Sequence, residues 1–165
     1  MHDLFHGVLE DFSDLHTPGE ALRITVRLLL AAVLGGVLGF ERERSGKSAG
    51  MRTHMLVAIA CGFFVLVPQQ FGMSNADLSR VVQGIVTGIG FIGAGSILKL
   101  SQSHEVRGLT TAAGLFLTSA IGMAAGMGRA ASAIQGTILA YTVLALLQPL
   151  ERKLLGEEST HHHKA

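Results

Sequence analysis

Residues 24–54 read ITVRLLLAAVLGGVLGFERERSGKSAGMRTH and contain the pattern that decides the fold. A mostly apolar run ends at Phe40, a charged stretch occupies residues 41–48, and a second apolar run opens at Ala49. An α-helix needs about 20 apolar residues to cross the hydrocarbon core of a membrane, and both runs approach this length. The stretch therefore predicts a hairpin of two membrane-spanning helices joined by a short charged loop.

The composition of the whole chain is that of a membrane protein. Of its 165 residues, 48% are hydrophobic and 15% are charged, and the mean hydropathy is +0.45. A soluble domain usually has about a quarter of its residues charged. The formal net charge of +1 gives no indication of nucleic-acid binding, and the single cysteine, Cys61, excludes a disulfide framework.

Five apolar stretches of similar length follow one another with short connections. They cover residues 24–40, 49–71, 81–100, 109–127 and 130–150. Strands fit poorly, because period-two alternation is absent and the strands of a membrane barrel would be about half as long. The predicted fold is therefore an all-α integral membrane bundle of five transmembrane helices, which we place at residues 18–151.

Two short segments flank the predicted bundle. Residues 1–17 place apolar side chains on one helical face and charged or histidine side chains on the other, which predicts an amphipathic helix on the membrane surface. The succession of Thr17, Pro18 and Glu20 is a helix-capping pattern, so the first spanning helix is expected to start near residue 18. Residues 152–165 are predicted to form a tail.

The distribution of basic residues predicts the orientation, because cytoplasmic loops are enriched in Lys and Arg. Of the 13 basic residues, four fall on one side of the predicted bundle, and these are Arg23, Arg27, Arg80 and Arg129. The remaining nine fall on the other side. We therefore expect the N-terminus outside and the C-terminus in the cytoplasm.

The sequence also contains the pattern of a tandem repeat of helical hairpins. Residues 35–40, GGVLGF, precede a charged loop and the GMRTH start of helix two. Residues 90–95, GFIGAG, precede a second charged loop and the GLTTA start of helix four. Both hairpins would enter and leave on the same side, as in a parallel repeat. A chance match is the alternative, because Gly and Thr recur in membrane helices.

Glycine is frequent inside the predicted helices. Residues 88–93, GIGFIG, match the pattern of a dinucleotide-binding loop, but no strand precedes them and they lie in an apolar helix. Glycines spaced four residues apart instead favour close helix packing. A pore or cation site lined by backbone oxygens is the alternative. These surfaces exceed what five helices need internally, so we also predict a homodimer. The spaced pairs are Gly35 and Gly39, Gly84 and Gly88, and Gly122 and Gly126.

The charged connection between helices one and two contains the candidate functional residues. A charge in the hydrocarbon centre costs about 3 kcal/mol, so these groups must pair or lie at the interface, and Glu41 with Arg52 is the expected pair. Carboxylate oxygens suit Mg²⁺, which makes Glu41 a candidate ligand, although its arginine neighbours disfavour a high-affinity site. An interfacial anchor is the alternative. The candidates are Glu41, Arg42, Glu43, Arg52, Thr53 and His54.

A second cluster on the same side precedes helix four. It consists of Arg107, Gly108, Thr110 and Thr111. A basic side chain beside a helix N-terminus suits a lipid phosphate or another acidic group. The alternative is that these residues set the topology and cap the helix.

Three motifs resemble the MgtC/SapB family of bacterial membrane proteins. They are residues 27–44 continued by 49–54 (AGMRTH), residues 88–98 (GIGFIGAGSIL) and residues 106–113 (VRGLTTAA). They occur in the family's order across about residues 20–150. The matching positions are Glu41, Arg42, Arg52, Thr53, Gly90, Gly93, Gly95, Arg107, Gly108 and Thr110.

The resemblance implies an inner-membrane protein linked to growth in low Mg²⁺ and to survival inside macrophages. It also implies a regulator of other membrane complexes such as the F-type ATP synthase, in contact with membrane lipids. A transporter or channel for Mg²⁺ or protons is the alternative. We expect no enzymatic activity and no cofactor, with Mg²⁺ as a candidate ligand. Longer family members carry a C-terminal cytoplasmic domain, which we expect this chain to lack.

Overall fold

The computed structural model describes residues 17–99 and 106–161. Within these ranges, five helices are long and apolar enough to cross a membrane, which confirms the predicted fold class. Most of the amphipathic helix predicted for residues 1–17 lies outside the described residues. The helices are α1 (Pro18–Arg44), α2 (Met51–Gln70), α3 (Asn75–Gly95), α4 (Leu109–Gly126) and α5 (Ala130–His161).

Side-chain caps determine where two of the helices begin. Thr17 accepts a hydrogen bond from the backbone N–H of Glu20 at 3.2 Å, and Pro18 occupies the first helical position, so α1 starts where the capping pattern predicts. Ser74 accepts in the same way from the N–H of Asp77 at 3.2 Å. Because of this cap, α3 begins at Asn75, six residues before the predicted start at residue 81.

A short hairpin joins α3 to α4. Strands β1 (Leu98–Lys99) and β2 (Val106–Arg107) pair in antiparallel register, so α3 ends at Gly95 rather than at the predicted residue 100. Gly108 then turns the chain into α4 with a φ of +99°, and a Cβ atom at this position would overlap the carbonyl oxygen of Ser96. Only glycine fits both the left-handed backbone and the lack of space.

The fifth helix is longer than the apolar pattern predicts. It continues from Ala130 to His161, so the segment predicted as a tail from residue 152 begins inside the helix. Hydrophobicity falls after Leu150, but residues 151–155 (ERKLL) are all strong helix formers. The loss of apolar character therefore marks the end of the membrane span and not the end of the helix.

Three helices form the centre of the bundle, and glycines allow their backbones to touch. A Cβ atom at Gly35 of α1 would lie 2.7 Å from the carbonyl oxygen of His54 on α2. On α4, a Cβ atom at Gly122 or Gly126 would overlap the α2 backbone at Ala58 or Gly62. Helices α1, α2 and α4 therefore pack backbone to backbone, as the spaced glycines predict.

The other two helices lie at the edge of this group. Helix α3 packs against α4 and α2, and α5 packs against α4 and α1. The predicted hairpins differ in packing, since α1 and α2 are in close backbone contact, while a Cβ atom added at Gly93 of α3 would lie 3.5 Å from the Cβ of Ala112 on α4, an ordinary van der Waals distance. The tandem repeat remains a prediction. A buried apolar core joins α1, α2, α4 and α5 through Ala31, Leu34, Leu38, Ala58, Ile121, Ala125, Ala133 and Ala140.

Replacing Gly122 with alanine tests the backbone contact between α2 and α4. The added methyl group must displace the α2 backbone at Ala58, and overpacking of this kind costs about 1–3 kcal/mol. We expect a lower midpoint of thermal unfolding for detergent-purified Gly122→Ala. The matched control is Gly90→Ala, because a Cβ at Gly90 meets no atom within 4 Å. Equal midpoints for the two variants would contradict the contact.

Candidate functional site

A buried ion pair lies at the end of α1. The side chain of Glu41 is 8% exposed and that of Arg42 is 2% exposed. The Arg42 Nε donates a hydrogen bond to Glu41 Oε2, and the Ser45 hydroxyl donates to Glu41 Oε1 at 2.8 Å. A second Arg42 nitrogen, Nη2, lies 3.5 Å from the carbonyl oxygen of Leu144 on α5. Both carboxylate oxygens are therefore engaged, and the pair connects α1 to α5.

The predicted pair between Glu41 and Arg52 is wrong, because Glu41 pairs with its neighbour Arg42 and Arg52 is exposed. Helix geometry explains the difference. His54 is the residue of this turn that faces the interior, and Arg52 lies two positions earlier, about 200° around a helix of 3.6 residues per turn. Thr53 is exposed as well.

His54 is the most deeply buried of the candidate residues between positions 41 and 54. It is 0% exposed, and its Nδ1 lies 2.7 Å from the Thr118 hydroxyl on α4. Gly114, one turn earlier on α4, leaves room for the ring, since a Cβ there would lie 3.4 Å from His54 Cε1. The second ring nitrogen, Nε2, is buried without a hydrogen-bond partner. The imidazole thus joins α2 to α4 and retains one unused polar atom.

On α1, a Cβ atom at Gly39 would lie 2.9 Å from the Cβ of His54, so the ion pair and the His54–Thr118 contact lie at the same end of the bundle. We call these residues the polar network and define it as Glu41, Arg42, Ser45, His54 and Thr118. It is the largest concentration of buried polar side chains among the described residues. Ionisable groups at such a position in a membrane helix are expensive to bury and mark functional sites.

Glu43 has a structural role two residues beyond the ion pair. Its Oε2 accepts a hydrogen bond from the backbone N–H of Met51 at 2.9 Å, at the start of α2. The N-cap position itself is Gly50, which has no side chain to provide this bond, and a Cβ there would lie 2.8 Å from Glu43 Oε2. Glu43 therefore caps α2 from the preceding helix, and its negative charge suits a helix N-terminus.

The surroundings of Glu41 do not favour it as a Mg²⁺ ligand. Among the described residues, no group of three or more His, Cys, Asp or Glu side chains is arranged to hold a metal ion. Both oxygens of Glu41 already accept hydrogen bonds from Arg42 and Ser45. A cation at Glu41 would have to displace the arginine, so the metal assignment remains a prediction.

The second predicted cluster is divided between the surface and the interior. Arg107 lies in β2 opposite Leu98, and both Arg107 and Thr110 are exposed. Thr111 is 2% exposed and faces the helices. Gly108 makes the turn between the hairpin and α4. Gly108 is the N-cap of α4 and provides no side-chain cap. Phosphate binding and the alternative of topology and helix capping both remain predictions.

Sequence reasoning missed Ser45 and Thr118 as members of the polar network. Thr118 lies one turn after Gly114 and one turn before Gly122, on the face of α4 that packs against α2. That spacing of four residues was visible in the sequence. A hydroxyl in a stripe of small residues is a common means of interhelical hydrogen bonding in membranes.

Helix α3 presents a face that no other described part of the chain covers. Cβ atoms at Gly84, Gly88, Gly90 and Gly95 would meet no described atom within 4 Å. The predicted close packing therefore occurs at the glycine pairs of α1 and α4, but Gly84 and Gly88 have no packing partner in the described part of the chain. Gln83 and Thr87 on the same helix are exposed, and Phe91 is 83% exposed. An apolar groove of about 430 Å³ runs along one edge of this face, beside α2.

The fold and the polar network define the class as a five-helix integral membrane protein with buried ionisable groups at one end. The MgtC family model matches residues 28–153 of this chain. The chain belongs to the MgtC family. No solved structure matches it.

Three relatives illustrate the similarity. Protein SrpB of Synechococcus elongatus is 42% identical over 146 residues, which cover 81% of this chain and 80% of SrpB. YhiD of Escherichia coli K12, named as a candidate magnesium transporter, is 39% identical over 80% of this chain and 64% of YhiD. MgtC of Brucella abortus strain 2308 is 41% identical over 75% of this chain, but the match spans only 51% of that protein.

Replacing Arg42 with glutamine tests the polar network. The change leaves the Glu41 carboxylate buried without its counter-charge, and breaking a buried ion pair costs about 3 kcal/mol or more. We expect Arg42→Gln to unfold at a clearly lower temperature in detergent. The control is Arg44→Gln, since Arg44 is exposed two residues away and an exposed ion pair is worth at most about 1 kcal/mol.

A double variant distinguishes loss of charge balance from loss of packing. Glu41→Gln combined with Arg42→Gln removes both charges, so part of the lost stability should return. If the double variant were as unstable as the sum of the single variants, the charge pair would not be the stabilising feature.

Proposed function

We propose that this protein is a non-catalytic regulator in the bacterial inner membrane, that it supports growth in low Mg²⁺ and intracellular survival, and that it acts by binding other membrane complexes. Membership of the MgtC family supports a role related to magnesium. The F-type ATP synthase is the proposed target, by the resemblance described above. The chain spans about half to two thirds of the MgtC and YhiD relatives, so the role is proposed for the five-helix unit alone.

The observation that carries this proposal is the uncovered face of α3. A helix that faces only lipid has no need for small or polar residues there, because acyl chains solvate large apolar side chains well. Gln83, Gly84, Thr87 and Gly88 instead provide hydrogen-bonding groups and room for a close backbone approach. Such a face suits another transmembrane helix, which belongs either to a partner complex or to a second copy of this chain in a homodimer.

The orientation is part of the proposal. The end of the bundle that carries the polar network also carries Arg44, Lys47, Arg52 and Arg107, and this excess of positive charge supports a cytoplasmic location. The C-terminus would then lie in the cytoplasm and the N-terminus outside.

Enlarging the α3 face tests the proposed mode of action. We expect Gly84→Leu with Gly88→Leu to abolish rescue of growth in low Mg²⁺ in a strain that depends on this protein. The control is Ala120→Leu, which enlarges an exposed small residue on α4. Crosslinking in membranes should capture a partner complex or a dimer with the wild type and the control but not with the double variant. Rescue by the double variant would overturn the proposal.

An ion transporter is the second candidate, and the polar network is the observation that favours it. Glu41, Arg42 and His54 are buried ionisable groups at one end of the bundle, and proton and ion pathways in membrane proteins use such residues. In this alternative, Glu41 binds Mg²⁺ or a proton during passage.

A flux assay separates the two candidates. For a regulator, purified protein in liposomes should move neither Mg²⁺ nor protons above the background of empty vesicles. For a transporter, flux should be measurable and should fall at least tenfold in Glu41→Gln. The control is Glu43→Gln, because Glu43 is exposed and the amide oxygen preserves an acceptor for the Met51 N–H.

A further inference from the structure

Three sulfur-containing side chains belong to one packed cluster between α2, α3 and α4. Cys61 of α2 and Met123 of α4 are 3% and 7% exposed, and Met127 packs against the same cluster. Within the described part of the chain, this cluster offers thiol and thioether sulfur but no side-chain oxygen or nitrogen. Its other members are aliphatic, namely Val57, Val65, Leu78, Val81, Val82 and Ile85.

The backbone contact between α2 and α4 places the sulfur residues at similar heights. The two contact glycines of α4 lie against Ala58 and Gly62 in the same order along the chain, so the two helices run in the same direction. In this register the backbone of Cys61 lies midway in height between those of Met123 and Met127. With a rise of about 1.5 Å per residue, it is about 3 Å along the helix axis from each of them.

Helix rotation places these residues on the same side of the contact. Cys61 comes one residue before the contact glycine of α2, whereas each methionine comes one residue after a contact glycine of α4. Each residue turns an α-helix by about 100°, and opposite rotations on two parallel, facing helices lead to the same side. Leu78 and Ile85 of α3 belong to the same cluster, so this is the side on which α3 packs. The three sulfur side chains therefore border one space between three helices.

The donor atoms select the kind of ion that this space suits. Thiolate and thioether sulfur favour soft cations such as Cu(I), whereas Mg²⁺ and Ca²⁺ take oxygen ligands. One Cu(I) ion bound by one thiolate and two neutral thioethers carries no net charge. The aliphatic surroundings therefore tolerate this complex, while a divalent ion with the same ligands would leave a buried charge. Cys61 also lines the apolar groove beside α3, so the thiol can be approached from that side.

We propose that Cys61, Met123 and Met127 form a three-sulfur site for a soft monovalent cation, Cu(I). On binding, the S–H bond of Cys61 breaks, its proton leaves to the medium, and the sulfur electron pair forms the bond to copper. The two methionines each donate a lone pair, and no oxidation state changes. The site lies apart from the polar network, and it does not depend on the regulatory function proposed above.

Anaerobic titration of the full chain, purified in detergent, tests the proposal. The probe is Cu(I) in competition with a chromophoric Cu(I) chelator, and Ag(I), Zn²⁺ and Mg²⁺ are the competing ions. We expect Ag(I) to displace Cu(I), and Zn²⁺ and Mg²⁺ to leave it bound. X-ray absorption at the copper edge should show sulfur neighbours. Zn²⁺ binding as tight as Cu(I) binding, or a copper ion without sulfur neighbours, would overturn the proposal.

Three variants assign the ligands. Cys61→Ser should weaken Cu(I) binding at least tenfold, because a hard hydroxyl oxygen replaces the soft thiolate. Met123→Leu and Met127→Leu should each weaken it as well, while the similar volume of leucine preserves the packing. The control is Met73→Leu, since Met73 is 40% exposed and lies outside the cluster.

The histidines at positions 161–163 stay in every variant, so copper bound there does not change between them. Cu(I) should also raise the midpoint of thermal unfolding of the wild type and the control more than that of Cys61→Ser, because a ligand of the folded state stabilises it. Equal Cu(I) affinity in the wild type and Cys61→Ser would overturn the proposal. Unchanged affinity in both methionine variants of the cluster would overturn the three-sulfur site.

Discussion

The contact between the backbones of α2 and α4 is the constraint on which the rest of the structure depends. Gly122 and Gly126 have no side chains, and the main chain of α2 at Ala58 and Gly62 occupies that space. Because lipid tails are as apolar as leucine, helices in a membrane associate through such close packing and through hydrogen bonds rather than through the hydrophobic effect. The same close approach brings His54 of α2 within hydrogen-bonding distance of Thr118 on α4.

The polar network follows from this packing. Gly35 lets α1 lie against α2 at the level of His54, and the end of α1 then carries Glu41 and Arg42 to the same end of the bundle. Charges are tolerated there because each has a partner: the carboxylate accepts bonds from Arg42 and Ser45, and the guanidinium also reaches α5. The Nε2 atom of His54 is the exception among these buried polar groups, because it has no hydrogen-bond partner.

The helices at the edge of the bundle are packed less closely than those at its centre. Among the described residues, helix α3 leaves Gly84, Gly88, Gly90 and Gly95 without a close neighbour and exposes the polar residues Gln83 and Thr87. At the end of the bundle opposite the polar network, Arg23 and Arg27 of α1 line a polar pocket next to the last turn of α2. One central packing unit thus supports a buried ionisable site, an uncovered helix face and a polar pocket at separate places.

The sequence alone determined the number of membrane-spanning helices in the described residues, most of their boundaries to within a few residues and the start of α1, because span length, hydropathy and capping are local properties. It also indicated the end of the bundle at which the candidate residues gather. Only the tertiary structure decided that Glu41 pairs with Arg42 and not Arg52, that Thr118 joins His54, and which glycine pairs pack inside the chain. Those outcomes depend on how each helix is rotated about its axis, and that rotation is set by contacts between residues far apart in the sequence.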